Sequence, residues 1–143
     1  MQRLTISTHL RGEAAEPAGE PPTTDPRAAS VSIAAVAADG SVAAIERLSY
    51  ENHVTFSGPS TFTETGTLSI DGDVGGELDI VTVGEGKINP AADTELLHGA
   101  VVYAIVEGRG RLAGATGLIT SNFVLTPAKG EFEERQVAVV FVP

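Results

Sequence analysis

Glu64 stands in a stretch, Ser60 to Asp71, where Phe62, Glu64, Gly66, Leu68 and Ile70 alternate with Thr61, Thr63, Thr65, Thr67 and Ser69. Residues two apart share a face of an extended strand, so this parity sets a carboxyl among apolar side chains. Such a carboxyl has a raised pKa and suits general acid or base work. The competing readings are a partly wet face or an arginine partner, and a bulge at Gly66 would invert the parity. Tyr50 and Asn52 fall on the parity of Leu48, Val54 and Phe56, placed to hydrogen-bond a ligand carbonyl or hydroxyl. For Tyr50 the plainer role is packing, with its hydroxyl at a rim. Tyr103 lies with Val101 and Ile105, Asn122 with Leu118 and Val124, and Arg135 with Val137, Val139 and Phe141. The candidates are therefore Glu64 and Tyr50 for proton handling and Asn52, Tyr103, Asn122 and Arg135 for ligand binding. Arg135 also suits a partner for Glu64 or a clamp on a ligand carboxylate, and Asn122 equally suits tying down backbone.

Several other chemistries lack their residues. His9, His53 and His98 lie on separate segments with no i, i+2 or i, i+4 pairing, and nothing suggests a metal centre. There is no cysteine and no Gly-x-Ser-x-Gly elbow, which disfavours covalent hydrolysis. The glycine-rich run Gly108 to Gly117 sits between two β-type runs, whereas a phosphate cradle needs a helix directly downstream. No cofactor is expected.

The elements that must position the candidates read as strands. Gln2 to Leu10 alternates with Leu4 and Ile6 on one face. Glu13 to Pro26 is rich in Ala, Glu, Gly and Pro and reads as a surface loop over about residues 13–28. Ala29 to Ala37 and Ser41 to Ser57 follow around the Asp39-Gly40 turn, the second run being long enough to need a bulge. Alanine density makes Ser32 to Ala38 a rival helix, but Val31, Ile33 and Val36 favour a strand. Glu77 to Val83 is another strand. Asn89 as a cap, Pro90 in a first turn and Ala91 to Leu97 make a short helix. Gly99 to Glu107, Leu118 to Thr126 and Glu131 to Val142 complete an all-β series.

The string Gly108-x-Gly110-Arg111-Leu112-Ala113-Gly114-Ala115-Thr116-Gly117, followed by Ile119-Thr120-Ser121-Asn122-Phe123, resembles the penultimate hairpin of the allene oxide cyclase-like barrels, which include the dirigent proteins. The match runs from His98 to Val142. The resemblance implies an eight-stranded antiparallel β-barrel, calycin-like in shape, with an apolar pocket, and carries over no catalytic set. Strand count and short connections point independently to a barrel or a sandwich.

Length suits one domain over residues 1–143. A formal charge of −10 argues against nucleic acid and anionic membrane. No run has the length of a membrane span or a signal-peptide core, so a cytoplasmic protein is expected. The late strands are apolar on both parities, Val101, Tyr103 and Ile105 against Ala100, Val102, Ala104 and Val106. Their outer face then needs a cover, which predicts a homodimer or homotrimer.

The function expected is binding of a small, largely apolar molecule in the barrel and its isomerisation or cyclisation. A non-catalytic carrier of similar ligands and an interaction module with a filled barrel are the alternatives. Abundant Ala and Gly favour a cavity.

Overall fold

The computed structural model describes residues 1–143, which form one antiparallel sheet and no helix. Its strands are β1 (Gln2–Glu13), β2 (Thr23–Thr24), β3 (Arg27–Ala37), β4 (Val42–Ala43), β5 (Ile45–Phe56), β6 (Thr61–Gly72), β7 (Gly76–Thr82), β8 (Gly86–Pro90), β9 (Leu97–Gly110), β10 (Thr116–Thr126) and β11 (Glu131–Val142). Eight of them, β5-β3-β1-β11-β10-β9-β7-β6, follow one another round the wall, and β6 pairs with β5 to close the barrel. Closure leaves the long strands without a free edge. β8 fills the gap beyond the end of β7 by pairing with both β6 and β9.

The glycine-rich run is a hairpin. β9 ends at Gly110 and β10 begins at Thr116, with Gly110 and Gly114 at φ +69° and +76° to turn the chain. Asp39-Gly40 likewise joins β3 to β4, and Ser32 to Ala37 is strand, its β-branched residues outweighing alanine propensity. The long run after it breaks at Ala44 into β4 and β5, with a register shift between Ile45 and Arg47.

One expectation is corrected. Ala91 to Leu97 makes no helix: Asn89 pairs with His98 and Pro90 with Leu97, so the segment only closes a β8–β9 hairpin. Its turn is held by the backbone bond from Leu96 N to Asp93 O and by the Asp93 carboxylate accepting from Glu95 N. The stretch expected as a surface loop over about 13–28 is exposed, non-strand chain over most of residues 14–22 and is tied to the wall at its ends. Glu13 pairs with Glu131, Thr23 and Thr24 pair with Thr55 and Val54, and Arg27 opens β3. What lies between is a strap across one end of the barrel.

The interior is layered along the barrel axis. One half is filled by Leu4, Ile6, Leu48, Ile70, Ile119 and Val140, all at most 2% exposed. A middle layer is polar, with Thr8, Asn52, Glu64, Ser121, Glu134 and Gln136 buried. The other half, beneath the strap, is apolar again and incompletely filled. Unfilled apolar space borders the polar layer at that end. No helix of the chain is long and apolar enough to cross a membrane.

Candidate active site at the barrel mouth

Glu64 lies where β6 changes neighbours, between Thr65, which still pairs with β7, and Phe62, which already pairs with β8. Its backbone would lose both ladder bonds at that gap. The Thr82 hydroxyl supplies them, accepting from Glu64 N at 2.7 Å and donating to Glu64 O at 3.0 Å. The β5–β6 register runs unbroken through Gly66, so the parity holds and Glu64 points inward.

Inside, Asn52 donates from Nδ2 to Glu64 Oε2 at 2.6 Å, and the Tyr103 hydroxyl donates to Oε1 at 2.7 Å. Asn52 sits directly opposite Gly66 in the ladder. A Cβ on residue 66 would lie 1.7 Å from Asn52 Oδ1, so only glycine leaves room for the amide that holds the carboxyl. That Oδ1 is itself buried without a partner.

A second carboxyl shares the layer. Glu134 accepts from the Tyr50 hydroxyl, from Ser121 Oγ at 2.5 Å and from Gln136 Nε2 at 3.0 Å. Burial raises the Glu64 pKa from 4.5 to about 7, the bonds from Asn52 and Tyr103 pull it down, and the Glu134 charge pushes it up again. Burial also raises both phenols well above their ordinary value, with Glu134 reinforcing Tyr50 and Glu64 reinforcing Tyr103. Both tyrosines are therefore hydrogen-bond donors at neutral pH. Glu64 stands near the midpoint of its titration.

These groups floor a cavity of about 80 Å³. Val54, Phe56, Phe62, Ile88, Phe123, Leu125 and Phe132 wall it, and Ala14, Thr24 and Pro26 of the strap roof it. The ring of Phe62 packs between Phe56 and Phe123, with centroids 6.1 and 6.0 Å away. Such a chamber can seat a small apolar body against two carboxyls and two phenols, and can pass a proton.

Of the residues proposed from sequence, the structure brings Glu64, Tyr50, Asn52 and Tyr103 together. It does not bring Asn122 or Arg135. The two face each other across the β10–β11 ladder on the outer surface, so Arg135 is neither a partner of Glu64 nor within reach of a ligand in the mouth. Both strands carry apolar residues on both parities, and Asn122 and Arg135 belong to the outer one. Glu134, Ser121 and Gln136 occupy the inner one. A usable signal existed in β11: Glu131, Glu133 and Arg135 put three charges on one parity against Glu134 alone on the other. Desolvation argues for turning the crowded parity outward.

No protein-family profile matches the chain, and no curated protein matches it by sequence. Among solved structures it is similar to the pterocarpan synthase dirigent protein, at 15% identity and a TM-score of 0.51, over 97% of this chain and 89% of that one. A likeness at that identity establishes the barrel fold.

Proposed function

We propose that the barrel takes a small, largely apolar molecule into its mouth and isomerises or cyclises it by proton transfer through Glu64. The observation that carries this reading is a buried carboxyl titrating near 7 at the floor of an apolar chamber. In its ionised form Glu64 takes a proton from the bound molecule, and as the acid it returns one at another position. The exchange is neutral overall and requires no further reagent. Tyr103 and Tyr50 donate hydrogen bonds and steady the oxygens of Glu64 and Glu134 while charge moves. The hairpin resemblance and the dirigent-type barrel support placing the chain among the allene oxide cyclase-like proteins. Its lack of cysteine suits the reducing cytoplasm.

Titration with 1-hexanol, followed by amide NMR shifts, tests the site. Shifts centred on Phe56, Ile88, Phe123 and Leu125 are expected. Shifts scattered over the surface, or none, would mean that the mouth takes no ligand and the barrel serves as an interaction module.

We also propose that the chain works as a homodimer or homotrimer. On the outer face, Ala104, Leu118 and Val139 lie side by side across β9, β10 and β11, and Val102, Thr120 and Val137 form the next row. Leu118 is 54% exposed and Val137 44%. A contiguous apolar face of this kind is uncommon on a monomer. Light scattering at micromolar concentration is expected to give two or three times the 14.7 kDa chain mass, and Leu118→Glu to return the mass of one chain. A single-chain mass for the unaltered protein would refute the assembly.

A further inference from the structure

The polar layer has an unbalanced charge. Glu64 is 6% exposed and Glu134 3%, yet none of the nine Lys and Arg residues is buried. No lysine, arginine or histidine lines the cavity. Buried carboxylates are ordinarily matched by a cation, because neutral donors recover only part of the lost hydration. Here every bond to the two carboxyls comes from a neutral group: Asn52 and Tyr103 for Glu64, and Tyr50, Ser121 and Gln136 for Glu134.

Acceptor capacity is also left over. A carboxylate offers about four lone-pair sites. Glu64 accepts two bonds and Glu134 three. The walls bring no competing positive charge, since Phe56, Phe62, Phe123 and Phe132 are apolar aromatics. A ligand carboxylate would meet two carboxyls and no counter-charge.

We propose that the ligand of the mouth is an apolar molecule bearing a protonated primary amine, with the ammonium seated on Glu64 and Glu134 and the body held among the rings. This rests on the mouth being a small-molecule site and specifies which molecules it takes. The size agrees. About 80 Å³ of water-accessible space is enough for a head group, while the apolar rim and strap hold a chain leaving through the mouth. An ammonium supplies three donors to the unfilled acceptor sites. Its charge also favours the ionised form of Glu64, so binding near neutral pH releases a proton.

The test uses three probes with one skeleton, hexylammonium chloride, 1-hexanol and sodium hexanoate, titrated calorimetrically into the full chain at pH 6.5. Hexylammonium is expected to bind at least about tenfold more tightly than hexanol, and hexanoate to show no binding. Its binding enthalpy should vary with the ionisation enthalpy of the buffer, as proton release demands, whereas that of hexanol should not. Equal binding of amine and alcohol, or tighter binding of hexanoate, would overturn the ammonium inference and leave the mouth standing as a ligand site. Failure of all three probes would overturn both. As a further check, Glu134→Gln is expected to narrow the amine preference to about threefold or less while hexanol binding is retained. An undiminished preference would overturn the role given to Glu134.

Discussion

Glutamine in place of Glu64 is expected to lower turnover by about 10²–10⁴-fold and to leave affinity for a neutral ligand such as 1-hexanol within about tenfold. The amide has nearly the shape of the carboxyl but cannot exchange a proton, so loss of rate without loss of binding is the signature of acid–base work. Measured on any substrate that the unaltered protein converts, full activity in Glu64→Gln would reduce Glu64 to a structural group and favour the carrier reading. The same variant has an opposite effect on folding. In the unfolded chain Glu64 loses its proton around 4.5, whereas in the barrel burial holds it to about 7. The folded state therefore binds more protons between those values, and stability falls as pH rises through that window. Its contribution is fully present below about 4.5 and is gone above about 7, a difference on the order of 3 kcal/mol. Glutamine carries no charge and escapes that loss. It recovers less than the whole, because Asn52 and Tyr103 both donate toward position 64 and the amide presents only one oxygen. Urea unfolding at pH 8 should thus find Glu64→Gln at least as stable as the unaltered chain, with its advantage shrinking by pH 5.

Alanine at Gly66 is expected to destabilise the barrel by about 3 kcal/mol. The added methyl would stand 1.7 Å from Asn52 Oδ1 and 2.9 Å from Asn52 Cα. The amide can swing away, but the backbone of the paired strand cannot. Displacing Asn52 strips Glu64 Oε2 of its donor in a buried layer, so overpacking and a lost buried bond act together. Removing the obstructing side chain should relieve part of this. The double variant Asn52→Ala with Gly66→Ala is expected to be less destabilised than the sum of the two single changes, by about 1 kcal/mol or more in a denaturation cycle. Strict additivity would show that the glycine is needed for the strand and not for its neighbour.

Where strands have one apolar parity, sequence alone gave the direction of the candidate side chains. β6 carries threonines and a serine on one parity, so the direction of Glu64 followed from spacing, and β5 did the same for Tyr50 and Asn52. β10 and β11 gave no such contrast, because their outer surface is itself apolar. Parity there has two equal answers, and the spacing that points to Asn122 and Arg135 is silent on Ser121, Glu134 and Gln136. The Gly108 to Gly117 hairpin was legible because its turn needs glycines at fixed places. The β8 strand was not, since Asn89 and Pro90 carry stronger local signals for a helix start than for a ladder whose partner lies several residues downstream. The strap over residues 14–26 was equally hidden. Prolines announce irregular backbone and say nothing about which wall it will lie against.

The division of the interior into a packed half and an open half has a consequence for how such a protein can change. Replacing Leu4, Ile119 or Val140 leaves a void with nothing to fill it, and the cost falls on every copy whatever it binds. Phe56, Phe123 and Leu125 border space that is already unfilled, and all three are only partly buried. Exchanging them for other apolar residues alters the shape of the chamber at little expense to folding. The carboxyl floor stays in place because its donors come from several different strands. Descendants of this chain are thus free to vary the apolar walls of the mouth while inheriting both the scaffold and the buried carboxyl floor unchanged. Divergence at the walls should outrun divergence at the floor.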